Sequence, residues 1–190
     1  TLAEGQDALG TAALRSDNFQ LAMQSAQRAV DLAPYWVPAK LLLARSQIAS
    51  GQEDVGLATA RELVTDPGSD VATHIEYALL LAGTGRDEEA RAVLTPYASG
   101  QVVVPAAVRS LGLMELQRGD LKAAEARFED LLSTGSQSYE SLYYLGVIAE
   151  RRDDTPRAVS FYTRVVSGDY AIAAQQRVAR IKAEKSGVDA

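Results

Sequence analysis

The feature that most constrains this chain is a period of 34 residues. Starting at Gly10 and stepping by 34 reaches Ala44, Ala78, Gly112 and Gly146, all small. The residue before each is large and apolar: Leu9, Leu43, Tyr77, Leu111 and Leu145. Twelve residues after each small position stands another, at Ala22, Gly56, Ala90, Ala124 and Ala158. Four further on come Ala26, Ala60, Leu94, Phe128 and Tyr162, and three beyond those Ala29, Leu63, Tyr97, Leu131 and Val165. Five columns keep register over five copies without a gap. Such a chain builds one supersecondary unit repeatedly and buries a continuous core by stacking the copies.

Each copy reads as helix, tight turn, helix. Apolar residues recur at helical spacing in two segments per copy. Between the segments lie Ser16-Asp17-Asn18, Ser50-Gly51-Gln52, Thr84-Gly85-Arg86, Arg118-Gly119-Asp120 and Arg152-Asp153-Asp154. Gly at such a point suits a left-handed helix end, and Asp or Asn is the next best choice. The small residue of the first helix lets the second approach closely, and the large residue beside it fills the groove.

Composition narrows the function classes. The chain has 190 residues and a net charge of −6. Its basic residues are scattered, with no stripe of the kind that grips nucleic acid or an anionic membrane. With no cysteine, disulfide and thiol chemistry are excluded. No apolar run approaches the roughly 18 residues that span a bilayer. The N-terminus shows no basic segment followed by an apolar core, so no signal peptide is read there. The chain opens on Thr1, not Met, which predicts a fragment or processed product, with targeting information outside it. A soluble cytoplasmic and a soluble periplasmic protein fit equally.

These columns resemble the tetratricopeptide repeat family, whose 34-residue unit carries a Leu-Gly pair, a later Ala, an aromatic and another Ala. Units four and five carry the resemblance most clearly, in "SLGLMELQRGDLKAAEARFEDLL" and "YLGVIAERRDDTPRAVSFYTRVV". Unit one keeps "ALGTAAL", "NFQLA" and Pro34. There are departures. The family's early Trp column reads Gln6, Lys40, His74, Val108 and Leu142, and its later Tyr column Ala13, Gln47, Leu81, Glu115 and Ala149. After residue 172 the Leu-Gly pair gives way to Ala179-Arg180. Ala174, Val178 and Ile181 still form one helical stripe, with Arg177, Arg180, Lys182 and Lys185 away from it, as a solvating cap requires. The N-terminal end shows no comparable cap, so further repeats are expected before Thr1.

The predicted fold is therefore all-α: a right-handed solenoid of five helix-turn-helix units, forming one domain over 1–190. The units are 3–36, 37–70, 71–104, 105–138 and 139–172, followed by a capping helix over 170–185 and a frayed tail at 186–190. In style the Ala-rich, Cys-free composition is similar to bacterial multi-repeat adaptors.

Catalytic chemistry finds little support. His74 is the only histidine, and no second ligand shares its helix face, so it reads as packing. Three acidic pairs, Glu53 with Asp54, Glu88 with Glu89 and Asp153 with Asp154, fall at or just before the starts of second helices. There carboxylates satisfy backbone N–H groups and oppose the dipole. "GTGRDE" at 83–88 lacks the third glycine of a dinucleotide loop and follows a helix. No metal site and no cofactor are predicted, and the chain reads as a non-enzyme.

In the family, the first helices line a concave groove. The resemblance places in it Leu41, Ile75, Arg109 and Tyr143 from the fifth column of the unit, Arg45, Leu79, Leu113 and Val147 from the ninth, and Ile48 and Leu116 from the twelfth. The strip is mainly aliphatic, with Arg45 and Arg109 as isolated cations, and suits a peptide or helix of a protein partner. The family's carboxylate clamp is missing, because the only Asn is Asn18, in a turn. Tyr35 and Trp36 in "PYWVP" read equally as an edge anchor or as a plug between units. "VVVP" at 102–105 reads as a loop packed under the neighbouring repeat, or as a self-association surface. The primary reading is a scaffold or adaptor that binds a protein partner. The alternatives are a self-assembly module and a regulatory or substrate-presenting repeat domain of a larger envelope or enzyme complex. No nucleic acid and no membrane insertion are expected.

Overall fold

The structure is a computed structural model that describes residues 1–135 and 138–188. Among the described residues it forms eleven α-helices and no strand. The chain divides into two compact units, 1–94 and 95–190.

The first unit holds α1 (Leu2–Arg15), α2 (Phe19–Leu32), α3 (Val37–Ala49), α4 (Glu53–Thr65), α5 (Val71–Gly83) and the start of α6 (Asp87–Ser99). The second holds the rest of α6, then α7 (Pro105–Arg118), α8 (Leu121–Ser133), α9 (Ser138–Arg151), α10 (Thr155–Thr163) and α11 (Ala171–Val188). Consecutive helices pack against each other, as α1 on α2 and α2 on α3, or α7 on α8 and α8 on α9.

The punctuation points turn as the sequence predicts. Asp17, Gly51, Gly85, Gly119 and Asp153 all have positive φ, between 58° and 87°, and they stand 34 residues apart. One left-handed residue reverses the chain between the two helices of a unit. Asn18, Asp120 and Asp154 then cap α2, α8 and α10, each accepting a backbone N–H three residues on. The acidic pairs behave as expected: Glu53 with Asp54 and Glu88 with Glu89 lie in first helical turns, and Asp154 is itself a cap.

The columns form the core. Ala22, Ala90, Ala124 and Ala158 are buried, and so are Ala26, Ala60, Leu94, Phe128 and Tyr162. The last column grows from Ala to Tyr along the chain. In α7 and α9 the room comes from glycine. A Cβ on Gly146 would stand 2.5 Å from the Tyr162 ring, and one on Gly112 would stand 3.1 Å from the Phe128 ring. The Leu-Gly pair is thus a packing device that seats an aromatic ring against bare backbone.

Two expectations change. The capping helix runs from Ala171 to Val188, so it extends through most of the expected tail, and residues 189–190 of that tail lie outside the described residues. Of the 102–105 loop only Val104 packs. It is half-buried and its N–H bonds to the Tyr97 carbonyl at 2.8 Å, whereas Val102 and Val103 are exposed.

Candidate functional site

The candidate groove residues occupy first helices in both units. In the first unit Leu41 is buried on α3, while Ile48 on α3 and Ile75 on α5 are half-buried. Leu79 on α5 keeps 43% of its surface exposed. In the second unit Leu116 is buried at the end of α7, and Leu113 on α7 and Val147 on α9 are half-buried. Of these aliphatic candidates Leu79 alone is exposed, while Ile48 and Ile75 in the first unit and Leu113 and Val147 in the second are half-buried.

Neither arginine is isolated. Arg45 on α3 pairs with Glu76 on α5, and Arg109 Nε on α7 donates to Glu140 Oε1 on α9 at 2.7 Å. Each acid stands 31 residues after its arginine, on the next first helix. The spacing alone encodes this pair: nearly one period, less one helical turn.

Tyr143 is engaged within the chain. Its ring stacks on Tyr170 with centroids 4.7 Å apart, and its hydroxyl accepts from Arg177 Nε at 3.2 Å. Tyr144 stacks on Phe128 at 5.0 Å. Around them runs a polar relay. The Tyr170 hydroxyl donates to Glu140 at 3.0 Å, which leaves the Tyr144 hydroxyl, 3.2 Å away, to donate to Tyr170. A second hub is Glu150, which accepts from the Tyr162 hydroxyl, Arg177 and Arg180. The Arg177 guanidinium also lies over the rings of Tyr143 and Tyr162.

The electrostatics follow from the geometry. Burial raises the Glu150 carboxyl, but the Tyr162 hydroxyl and the two guanidinium groups outweigh it and hold the carboxyl below the usual range. Burial, then the hydrogen bond to Glu150, pushes the Tyr162 hydroxyl well above an ordinary tyrosine. Burial, then Tyr170, does the same for Tyr144. These hydroxyls stay protonated and donate. The cluster thus works as a latch that holds α11 on the last repeat. Sequence reasoning missed its cationic half, although Arg177 is the sixth member of the column Asp7, Leu41, Ile75, Arg109, Tyr143.

Two smaller features lie outside the latch. His74 is half-buried on α5, with Nδ1 2.9 Å from the Asp70 carbonyl oxygen. Tyr35 is 97% exposed at the rim of a cavity of about 260 Å³, lined also by Lys40, Leu63, Asp66 and Asp70, while Trp36 is half-buried. Among the described residues no group of three or more acidic or histidine side chains could hold a metal, and no helix is long and apolar enough to cross a membrane.

The family model for the tetratricopeptide repeat matches residues 109–177, which span α7 to α11. Residues 109–177 are thus of the tetratricopeptide-repeat type. A thermophilic tetratricopeptide-repeat protein of Thermus thermophilus is similar in structure, with a TM-score of 0.67 at 19% identity, covering 94% of this chain and 98% of that one. The pilF protein of Pseudomonas aeruginosa gives 0.68 at 18%, over 97% and 86%. A tetratricopeptide-repeat protein of Parabacteroides merdae gives 0.65 at 14%, over 97% and 75%. At such identities the likeness speaks for the fold alone. No curated protein matches the chain. The tetratricopeptide-repeat fold that these structures share generally mediates protein–protein interaction.

Proposed function

We propose that this chain is a non-catalytic scaffold that binds a peptide or helix of a protein partner on its first-helix faces, and that 1–190 acts as one repeat array. One observation supports this above the rest: Leu79 stands 43% exposed in the same column as half-buried Leu113 and Val147. Apolar side chains left partly open in repeat register offer anchors at regular spacing. Each unit also carries a first-helix arginine paired with an acid on the next first helix, Arg45 in the first and Arg109 in the second, as a polar anchor for a ligand within that unit. Leu41 and Leu116 support the helices from beneath, and Tyr143 holds the C-terminal end.

The test is affinity capture with the wild type and with a Leu79→Asp, Leu113→Asp double variant. Leu79 is exposed and Leu113 half-buried, so the helices should still form, and circular dichroism checks that the variant is folded. Partner capture should fall by about tenfold or more, the loss of roughly 1.4 kcal/mol or beyond. Undiminished capture by a folded variant would refute the reading.

A second reading, self-association, is favoured by exposed Val102 and Val103 on the loop before α7. Light scattering over a concentration series decides it, since a strict monomer removes it.

A further inference from the structure

The charge of the chain is unevenly spread. Residues 1–94 carry thirteen acidic and seven basic side chains, whereas residues 95–190 carry twelve of each. The whole net charge of −6 therefore belongs to the first unit. Such a field draws cations to that unit and repels anions.

On the first-helix faces the imbalance is concentrated at Asp7 on α1. Asp7 heads the column Leu41, Ile75, Arg109, Tyr143, Arg177. Later polar members of that column find a partner further along the chain. Arg109 bonds Glu140 on α9, 31 residues on, and Tyr143 bonds Arg177 on α11, 34 residues on. The same two steps from Asp7 reach Pro38 and Leu41, whose side chains offer no donor. Arg45 on α3, the helix against which α1 also packs, acts on Asp7 through its charge alone, while its guanidinium is bonded to Glu76. Among the described residues Asp7 accepts no hydrogen bond. It is nevertheless half-buried, and burial outweighs Arg45 and raises its carboxyl above the ordinary value. A carboxylate held partly out of water without a donor costs stability. The apolar side chains on the first-helix faces of this unit are half-buried Ile48 and Ile75 and exposed Leu79.

Resting on the scaffold reading of these faces, we infer that the first unit takes a basic, extended segment of its protein partner, which sets an apolar side chain on Leu79 and a lysine or arginine on Asp7. An acidic segment meets repulsion from Asp7 and from the field of the unit, and a neutral one leaves the carboxylate unpaired. The helices that carry Asp7 and Leu79 have α3 between them, which sets the two anchors roughly 16–20 Å apart, or about five residues of extended chain.

The experiment selects binders from a random dodecapeptide phage library on the full chain and on its Leu79→Asp variant. Peptides recovered on the wild type and lost on Leu79→Asp should carry Lys or Arg about five residues from a Leu, Ile or Phe. One of them, made synthetically, should bind Asp7→Asn about tenfold more weakly than the wild type. Its analogue with Gln in place of the basic residue should bind the two proteins equally. Asp7→Asn alone should melt at the wild-type temperature or above, because it discharges a group that has no donor. A lower melting temperature would make Asp7 a structural partner of Arg45 and overturn the proposal, as would equal affinity of the basic peptide for wild type and Asp7→Asn. Binders that need Leu79 but share no basic position overturn the proposal and leave the scaffold reading standing. Binders that Leu79→Asp retains, or no binders at all, overturn both.

Discussion

Among single residues, the small column carries more than the spacing suggests. The Tyr162 ring is fixed on one side by burial and on the other by its bond to Glu150, so it cannot move away from a methyl group on Gly146. Gly146→Ala should therefore destabilise the protein by about 1–3 kcal/mol, even after the helix propensity gained. Gly112→Ala meets the edge of Phe128 at 3.1 Å and the Arg127 Cβ at 3.2 Å, which need yield only a few tenths of an ångström, and it should cost less, within about 1 kcal/mol. Thermal melts of the two variants check this contrast, and equal losses would mean that the ring is free to shift. The packing role of Gly146 was legible in the sequence, because five small residues in register have little other use. The role of Tyr143 was not. Its partner Arg177 lies beyond the last recognisable Leu-Gly pair, and a column reading that stops there leaves the tyrosine looking free.

Among the helices, α11 shows how a cap is fastened when apolar packing thins. Its buried side is narrow, with Ala174 and Ile181 at its centre, and Arg177 and Arg180 reach across to Glu150. The Glu150 carboxyl is held below its ordinary value of 4.5 in the folded chain. Its stabilisation is thus present above that value and is lost as pH falls through the folded pKa. Melting temperature should drop as the solution is taken from neutral to about pH 3, with most of the Glu150 part lost below roughly pH 4.5. Glu150→Gln should cost about 1–3 kcal/mol at neutral pH and flatten the acid limb of the profile. An unchanged acid limb would place the titration elsewhere, for example at Asp70, which is also held low by its Thr73 bonds. Helix existence was legible from the period, and helix ends were legible from the turn residues. The shortness of α10 was not: Val165 keeps its column and stays buried although the helix has already ended at Thr163.

Across the molecule, a strict period says that repeats exist but not where their contacts thin. The boundary at 94/95 falls inside α6, at no punctuation point, and nothing in the five columns marks it. Stability in repeat chains is close to a sum of local and nearest-neighbour contributions. Gly146→Ala should therefore lower amide-exchange protection in α7 to α11 and leave α1 to α4 near wild type. Uniform loss across the chain would show a single cooperative block instead. The placement of the ring systems makes such an experiment simple. The only tryptophan, Trp36, lies in the first unit, while Tyr143, Tyr144, Tyr162 and Tyr170 are gathered in the second. Indole emission and the near-ultraviolet circular dichroism of coupled phenols are thus two built-in reporters. Each follows one half of an unlabelled chain as it melts.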